Sequence, residues 1–108
     1  MTERVIILDV CVKELKKFPL NLQQDMLTLV QQLNDGVKFS LPLSMPMPSI
    51  GKGVHELRLK DSSGQYRIIY YYQTKKNEVY FIHAFMKKTQ ATPKKNLDLA
   101  KKRLRSIL

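Results

Sequence analysis

The 108-residue chain predicts a single α+β domain spanning 1–108. Its elements run β-α-α-β-β-β-α: an antiparallel sheet, an N-terminal helical hairpin on one face and a C-terminal helix. Three observations carry this reading. Residues 54–85 hold three stretches of β-branched, aromatic and alternating residues separated by short turns. Apolar residues recur at helical spacing before Gly36, and again after Pro93.

Arg4-Val5-Ile6-Ile7-Leu8 is a short, nearly continuous apolar run and reads as the first strand. Asp9 is placed to cap a helix in which Cys11, Leu15 and Phe18 share one face, with Pro19 ending it. A second helix is expected from about Asn21 to Asn34, with Asn21 and Gln24 as a capping box. Leu22, Met26, Leu29, Val30 and Leu33 form its stripe, and Gly36 is its stop. The segment SLPLSMPMPSIGKG carries three prolines, so an extended surface loop is expected there, bordering the site and delivering Lys52 at its exit. Met45 and Met47 have no His or Cys beside them, so a copper site is poorly supported.

Val54–Lys60, Tyr66–Tyr72 and Val79–Phe85 are the three strands of a meander. Ser63-Gly64 and Lys76-Asn77 are the turns, because Gly and Asn tolerate positive φ. Turns this short make the three strands antiparallel. Thr92 is then the expected N-cap and Pro93 the first residue of a helix with Leu97, Ala100, Leu104 and Ile107 on one side.

Charge separates the two halves. The net charge is +10, from 19 Lys and Arg against 9 Asp and Glu. Residues 1–50 hold five of each sign, whereas residues 51–108 hold 14 basic and 4 acidic residues. A solubility device has no need to be one-sided, so the second half is read as a surface for a polyanion. No apolar run approaches the ~20 residues of a membrane helix. MTERVIILDV lacks the longer apolar core of a signal peptide. A lone Cys11 suits a reducing cytoplasm.

The residue types limit the chemistry. Cys11, His55 and His83 match no zinc spacing, and no phosphate-binding glycine loop or G-x-S-x-G motif is present. Metal-free phosphodiester cleavage remains. It needs cations for the developing phosphorane charge, a base for a 2′-hydroxyl and an acid for the leaving oxygen. Period 2 puts Glu56 and Arg58 on one face of their strand. If Arg67 shares that face, two guanidiniums lie side by side, a repulsive pairing that an anion would relieve. Arg67 reads as a free surface cation, whose loss would leave stability unchanged or slightly raised. Lys87 and Lys88 follow the third strand, and Lys94 and Lys95 sit in the first turn of the last helix. These two pairs bracket one short loop and suggest a phosphate-binding patch. The place of Lys94 and Lys95 at the positive end of the helix dipole is otherwise unfavourable.

The acid and base stay open. His83 suits either packing or proton transfer. His55 shares parity with Leu57 and Leu59 and so faces the core or binds RNA. Glu56 is either a base or a partner to Arg58 and Arg67, and a lysine made less basic by cationic neighbours is a third option. Of the tyrosines, Tyr71 is the one assigned to stacking on an RNA base, with alternate ones in the core.

The runs HELR, YRIIYYY and HAFMKKTQATPKKNLDLAKKRL occur in that order between Lys52 and Leu104. In them the chain resembles the RelE/ParE superfamily of bacterial toxins, and most closely its HigB-like, phage-derived branch. The resemblance implies a ribosome-dependent mRNA endonuclease that needs no cofactor and works in the cytoplasm. Its partners would be messenger RNA on the ribosome and a HigA-like, helix-turn-helix antitoxin, through which alone it would meet operator DNA. Active-site basic residues would fall at Arg58, Arg67 and the Lys87-Lys88 pair. Several relatives use a tyrosine near the C-terminus, and this chain has none after Tyr80. A ParE-like gyrase inhibitor and a non-catalytic nucleic-acid-binding module are the alternatives.

Overall fold

The structure is a computed structural model that describes residues 2–108. Its elements are β1 (Arg4–Ile7), α1 (Asp9–Leu15), α2 (Leu20–Asn34), β2 (Ser44–Pro46), β3 (Val54–Asp61), β4 (Gly64–Gln73), β5 (Glu78–Lys87) and α3 (Lys94–Ile107). The strands form one sheet in the order β1-β5-β4-β3-β2.

The meander forms as its alternation requires. In the β3–β4 register Arg58 stands opposite Arg67 and Val54 opposite Tyr71. In β4–β5 Arg67 stands opposite Phe85 and Gln65 opposite Lys87. The β3–β4 turn is closed by Asp61, whose Oδ1 accepts the Ser63 N–H at 2.8 Å. The β4–β5 connection is a 3-10 turn over Thr74–Lys76, and Asn77 takes the left-handed conformation at φ 52°.

The sheet is mixed rather than purely antiparallel, because β1 runs parallel to β5, Arg4 opposite Glu78 through Ile7 opposite Phe81. A parallel pair needs a crossover, and the whole of α1 through β4 supplies it. The expected order also lacked β2, which pairs antiparallel with β3 inside the proline-rich segment. Pro46 fits there because β2 is an edge strand, where a residue without an N–H is tolerated. The segment does not stay on the surface. Met47 and Ile50 are buried against Val54, Ala100 and Leu104.

Two apolar layers sandwich the sheet. Cys11, Leu15, Phe18, Leu22, Met26 and Leu33 of the helical hairpin and its connection meet Leu57, Ile68, Tyr70 and Phe81 on one face. On the other face α3 buries Ala100 and Leu104 against Val54, Ile69 and Ile82. Each fully buried aliphatic or aromatic side chain contributes ~1.5–3 kcal/mol.

The helix starts differ from expectation. α1 begins at Asp9 itself, α2 begins at Leu20 after Pro19, and α3 begins at Lys94 after Pro93, none with a side-chain cap. The residues expected as caps, Asp9, Asn21 and Thr92, therefore do not cap these helices. In place of the capping box, Gln23 donates from Nε2 to the carbonyls of Phe18 at 2.8 Å and Lys16 at 3.3 Å. It thereby satisfies the C-terminal end of α1.

Candidate active site

Antiparallel register places Arg58 and Arg67 directly opposite one another on the α3 side of the sheet. They line a pocket of about 580 Å³ together with Lys60, Gln65, Lys87 and Gln90, and Pro42 and Leu43 close one wall. Four cations therefore converge on one concavity.

Beneath it lies Glu56, only 1 % exposed. Its Oε1 is 3.4 Å from Arg67 Nε and 3.8 Å from Arg58 Nε. Its Oε2 accepts the Thr92 hydroxyl at 2.8 Å. Thr92 thus ties the loop after β5 to the floor of the site. Arg67 is not the free surface cation that parity alone suggests. It is 5 % exposed, and its guanidinium donates to Gln65 Oε1 at 2.9 Å and to the Tyr66 carbonyl at 3.1 Å. Burial lowers its pKa and Glu56 works the other way. A buried guanidinium with a buried carboxylate is the arrangement that desolvation demands. Arg58 is more open, its side chain 32 % exposed.

Lys87 is held below the ordinary lysine range. Burial is the largest cause and the neighbouring Arg67 and Arg58 add to it, with Glu56 opposing. A lysine shifted in this direction is better suited to exchange a proton than an ordinary surface lysine.

The other expected site residues scatter. Lys88 does not line the arginine pocket; it borders neighbouring grooves, one of them beside Thr89. His83 is 3 % exposed, with Nε2 2.7 Å from Asn96 Oδ1 and Nδ1 3.1 Å from Glu14 Oε2. Arg103 completes this cluster, donating to Glu14 Oε1 at 2.7 Å and to the Ile82 carbonyl at 2.9 Å. The Ala84 N–H also donates to Glu14 Oε1, at 3.1 Å. Glu14 and Arg103 therefore occupy main-chain groups of β5 that β1 is too short to reach, and His83 is locked between α1 and α3. Burial opposes ionisation of Glu14, but hydrogen bonds from His83, Arg103 and Ala84 hold its pKa at about 2.

His55 lies on the opposite face, with the hairpin core, stacked on Tyr70 at 5.5 Å and edge-on to Tyr72 at 5.3 Å. Burial, and then Lys38, push its pKa down. Lys52 and Tyr71 border a separate groove with Lys101 and Arg105. Lys94 pairs with Asp98 at 2.9 Å, and Lys95 faces a groove between α1, β5 and α3. Among the described residues no three His, Cys, Asp or Glu side chains are grouped as a metal site needs.

Three pocket residues escaped the sequence reading. Lys60 was legible in principle, two residues after Arg58 on the same face. Gln65 and Gln90 carry no local signal.

The family described as phage-derived protein Gp49-like matches residues 3–105. No curated protein matches the chain. Among solved structures, a mutant of the Escherichia coli toxin RelE in the free state is similar over 100 % of both chains, with TM-score 0.69 and 13 % identity. Isolated E. coli RelE is similar over 98 % of this chain and 99 % of its own, with TM-score 0.57 and 14 % identity. The toxin–antitoxin complex RelBE2 of Mycobacterium tuberculosis aligns with 81 % of this chain and 100 % of its own, with TM-score 0.59 and 13 % identity. The chain belongs to the phage-derived Gp49-like family and has the fold of the RelE toxins.

Proposed function

We propose that the chain is the toxin of a toxin–antitoxin pair and an endoribonuclease that cuts messenger RNA on the ribosome. The observation that carries this reading is the convergence of Arg58, Lys60, Arg67 and Lys87 on one pocket floored by a buried carboxylate. A pocket with this charge suits a phosphodiester whose negative charge grows in the transition state. The 2′-oxygen attacks phosphorus and loses its proton to Lys87. The bond from phosphorus to the 5′-oxygen then breaks, and that oxygen takes up a proton from water. The products are a 2′,3′-cyclic phosphate and a 5′-hydroxyl. Arg58 and Lys60 neutralise the non-bridging oxygens, while Arg67, fixed by Glu56 and Gln65, keeps the guanidinium pair in register.

The ribosome orients the message, a contribution worth several kcal/mol when the protein site supplies little positioning of its own. Silencing falls to a HigA-like, helix-turn-helix antitoxin, in keeping with the similarity to RelBE2, itself solved as a toxin–antitoxin complex. The HigB-like assignment, action in the cytoplasm and contact with operator DNA through that antitoxin belong to the same reading. Primer extension on messages from cells expressing the chain tests it. New 5′ ends within translated regions are expected, absent with Arg58→Ala and far weaker on ribosome-free RNA. Growth arrest with intact messages would refute it and would favour a gyrase target.

A further inference from the structure

β5 is ten residues long, but β1 pairs with only its first four, Glu78 to Phe81. Beyond them its outer edge has no strand neighbour. Arg103 takes the Ile82 carbonyl and Glu14 takes the Ala84 N–H. Main-chain groups alternate along a strand, so the Ala84 carbonyl and the Met86 N–H point the same way as the Ala84 N–H. Both groups therefore face away from β4, and among the described residues no loop, helix or side-chain group bonds to either. An open donor–acceptor row of this kind is a template for another strand.

The space beside it is a groove of about 480 Å³ between α1, β5 and α3. Phe18, Met86 and Leu99 give it an apolar lining, and Met86 is 41 % exposed. Lys17, Lys88 and Lys95 add positive charge. The carboxylate in the groove, Glu14, is already engaged by Arg103 and His83.

We infer that the Ala84–Lys87 edge of β5 receives an extended, acidic segment of a partner protein, which pairs main chain to main chain and sets carboxylates against Lys17, Lys88 and Lys95. RNA is the poorer occupant, since a phosphate gains nothing from a strand's carbonyls or an apolar lining. Main-chain pairing supplies affinity in such complexes, and alternate side chains supply specificity. At about 3.4 Å per residue the free edge accommodates a segment of about four to six residues. The inference rests on the proposed toxin–antitoxin reading, and it makes the antitoxin the partner and this groove the seat of one of its strands.

The test uses the full chain and the helix-turn-helix product of the adjacent gene, purified together and apart. Hydrogen exchange at Met86 should slow in the complex. Met86→Pro, which removes the open donor, and the surface double variant Lys17→Glu/Lys95→Glu should each weaken binding at least tenfold. Unchanged affinity in both variants, or protection confined to other elements, would overturn the inference while leaving the antitoxin reading intact. Failure of the two proteins to associate would overturn both. A dimer of the chain alone that Met86→Pro dissolves would assign the edge to a second copy and overturn the acidic partner.

Discussion

Removing Arg67 should destabilise the fold strongly, contrary to what strand parity suggests. Two arginines facing each other across β3 and β4 repel, so deleting one appears harmless or beneficial. The burial of Glu56 reverses this. Its carboxylate, 1 % exposed, has Arg67 Nε at 3.4 Å, Arg58 Nε at 3.8 Å and the Thr92 hydroxyl at 2.8 Å. In Arg67→Ala the nearest cation is gone, and the Gln65 amide oxygen and Tyr66 carbonyl lose their donors. Breaking a buried ion pair by removing one partner costs about 3–5 kcal/mol. Arg58 and Thr92 remain, so the lower end applies. A cost of about 3 kcal/mol corresponds to a fall in Tm of roughly 12–15 °C for a domain this small. Thermal denaturation at pH 7 measures it. The double variant Arg67→Met/Glu56→Gln should recover most of the loss, because both charges are then absent. An Arg67→Ala protein melting within a degree or two of the parent would refute the burial argument. So would a double variant no more stable than the single one. Loss of growth arrest in Arg67→Ala is consequently poor evidence for a role in chemistry.

Arg58→Ala is the cleaner probe, since that side chain is 32 % exposed and lies farther from Glu56. It should lower single-turnover cleavage by about two to three decades, as loss of one charge-stabilising donor does, with a shift in Tm of only a few degrees. The Glu14 carboxyl, at about 2 in the fold against 4.5 for the free group, has a depressed pKa. Its stabilisation is complete above pH 4.5 and lost as pH falls toward 2. Denaturant titrations should therefore show about 2–3 kcal/mol of acid-sensitive stability that Glu14→Gln lacks. Cys11, fully buried, has its thiol pushed up to about 12 by burial and by Glu14, with Arg103 opposing. It should resist iodoacetamide at pH 8 in the native protein and react only under denaturant, as mass spectrometry would show.

Much of the architecture is local and therefore legible from residue order. Alternation from Val54 to Asp61 settles that Glu56 and Arg58 share a face, whereas the grouping of Arg67 and Lys87 with them was implied by the family resemblance and is fixed by the registers between strands. The spacing of Leu22, Met26 and Leu33, and of Ala100 and Leu104, likewise determines which helix faces are buried. Net charge marked the second half as the basic one, and all four cations of the pocket lie there. Tertiary structure decided what depends on contacts between distant residues. Parallel pairing of β1 with β5 joins residues 74 apart and leaves no periodic trace. β2 exists only because β3 offers it an edge. The protonation behaviour of Glu14 depends on His83 and Arg103, 69 and 89 residues away. Arg67 read as exposed because a charged residue on a strand face is usually solvated. Whether it is depends on what covers that face, and here the covering loop is fastened through Thr92 to Glu56. Burial of a charge is a property of the assembled environment, because desolvation is set by all the neighbours at once.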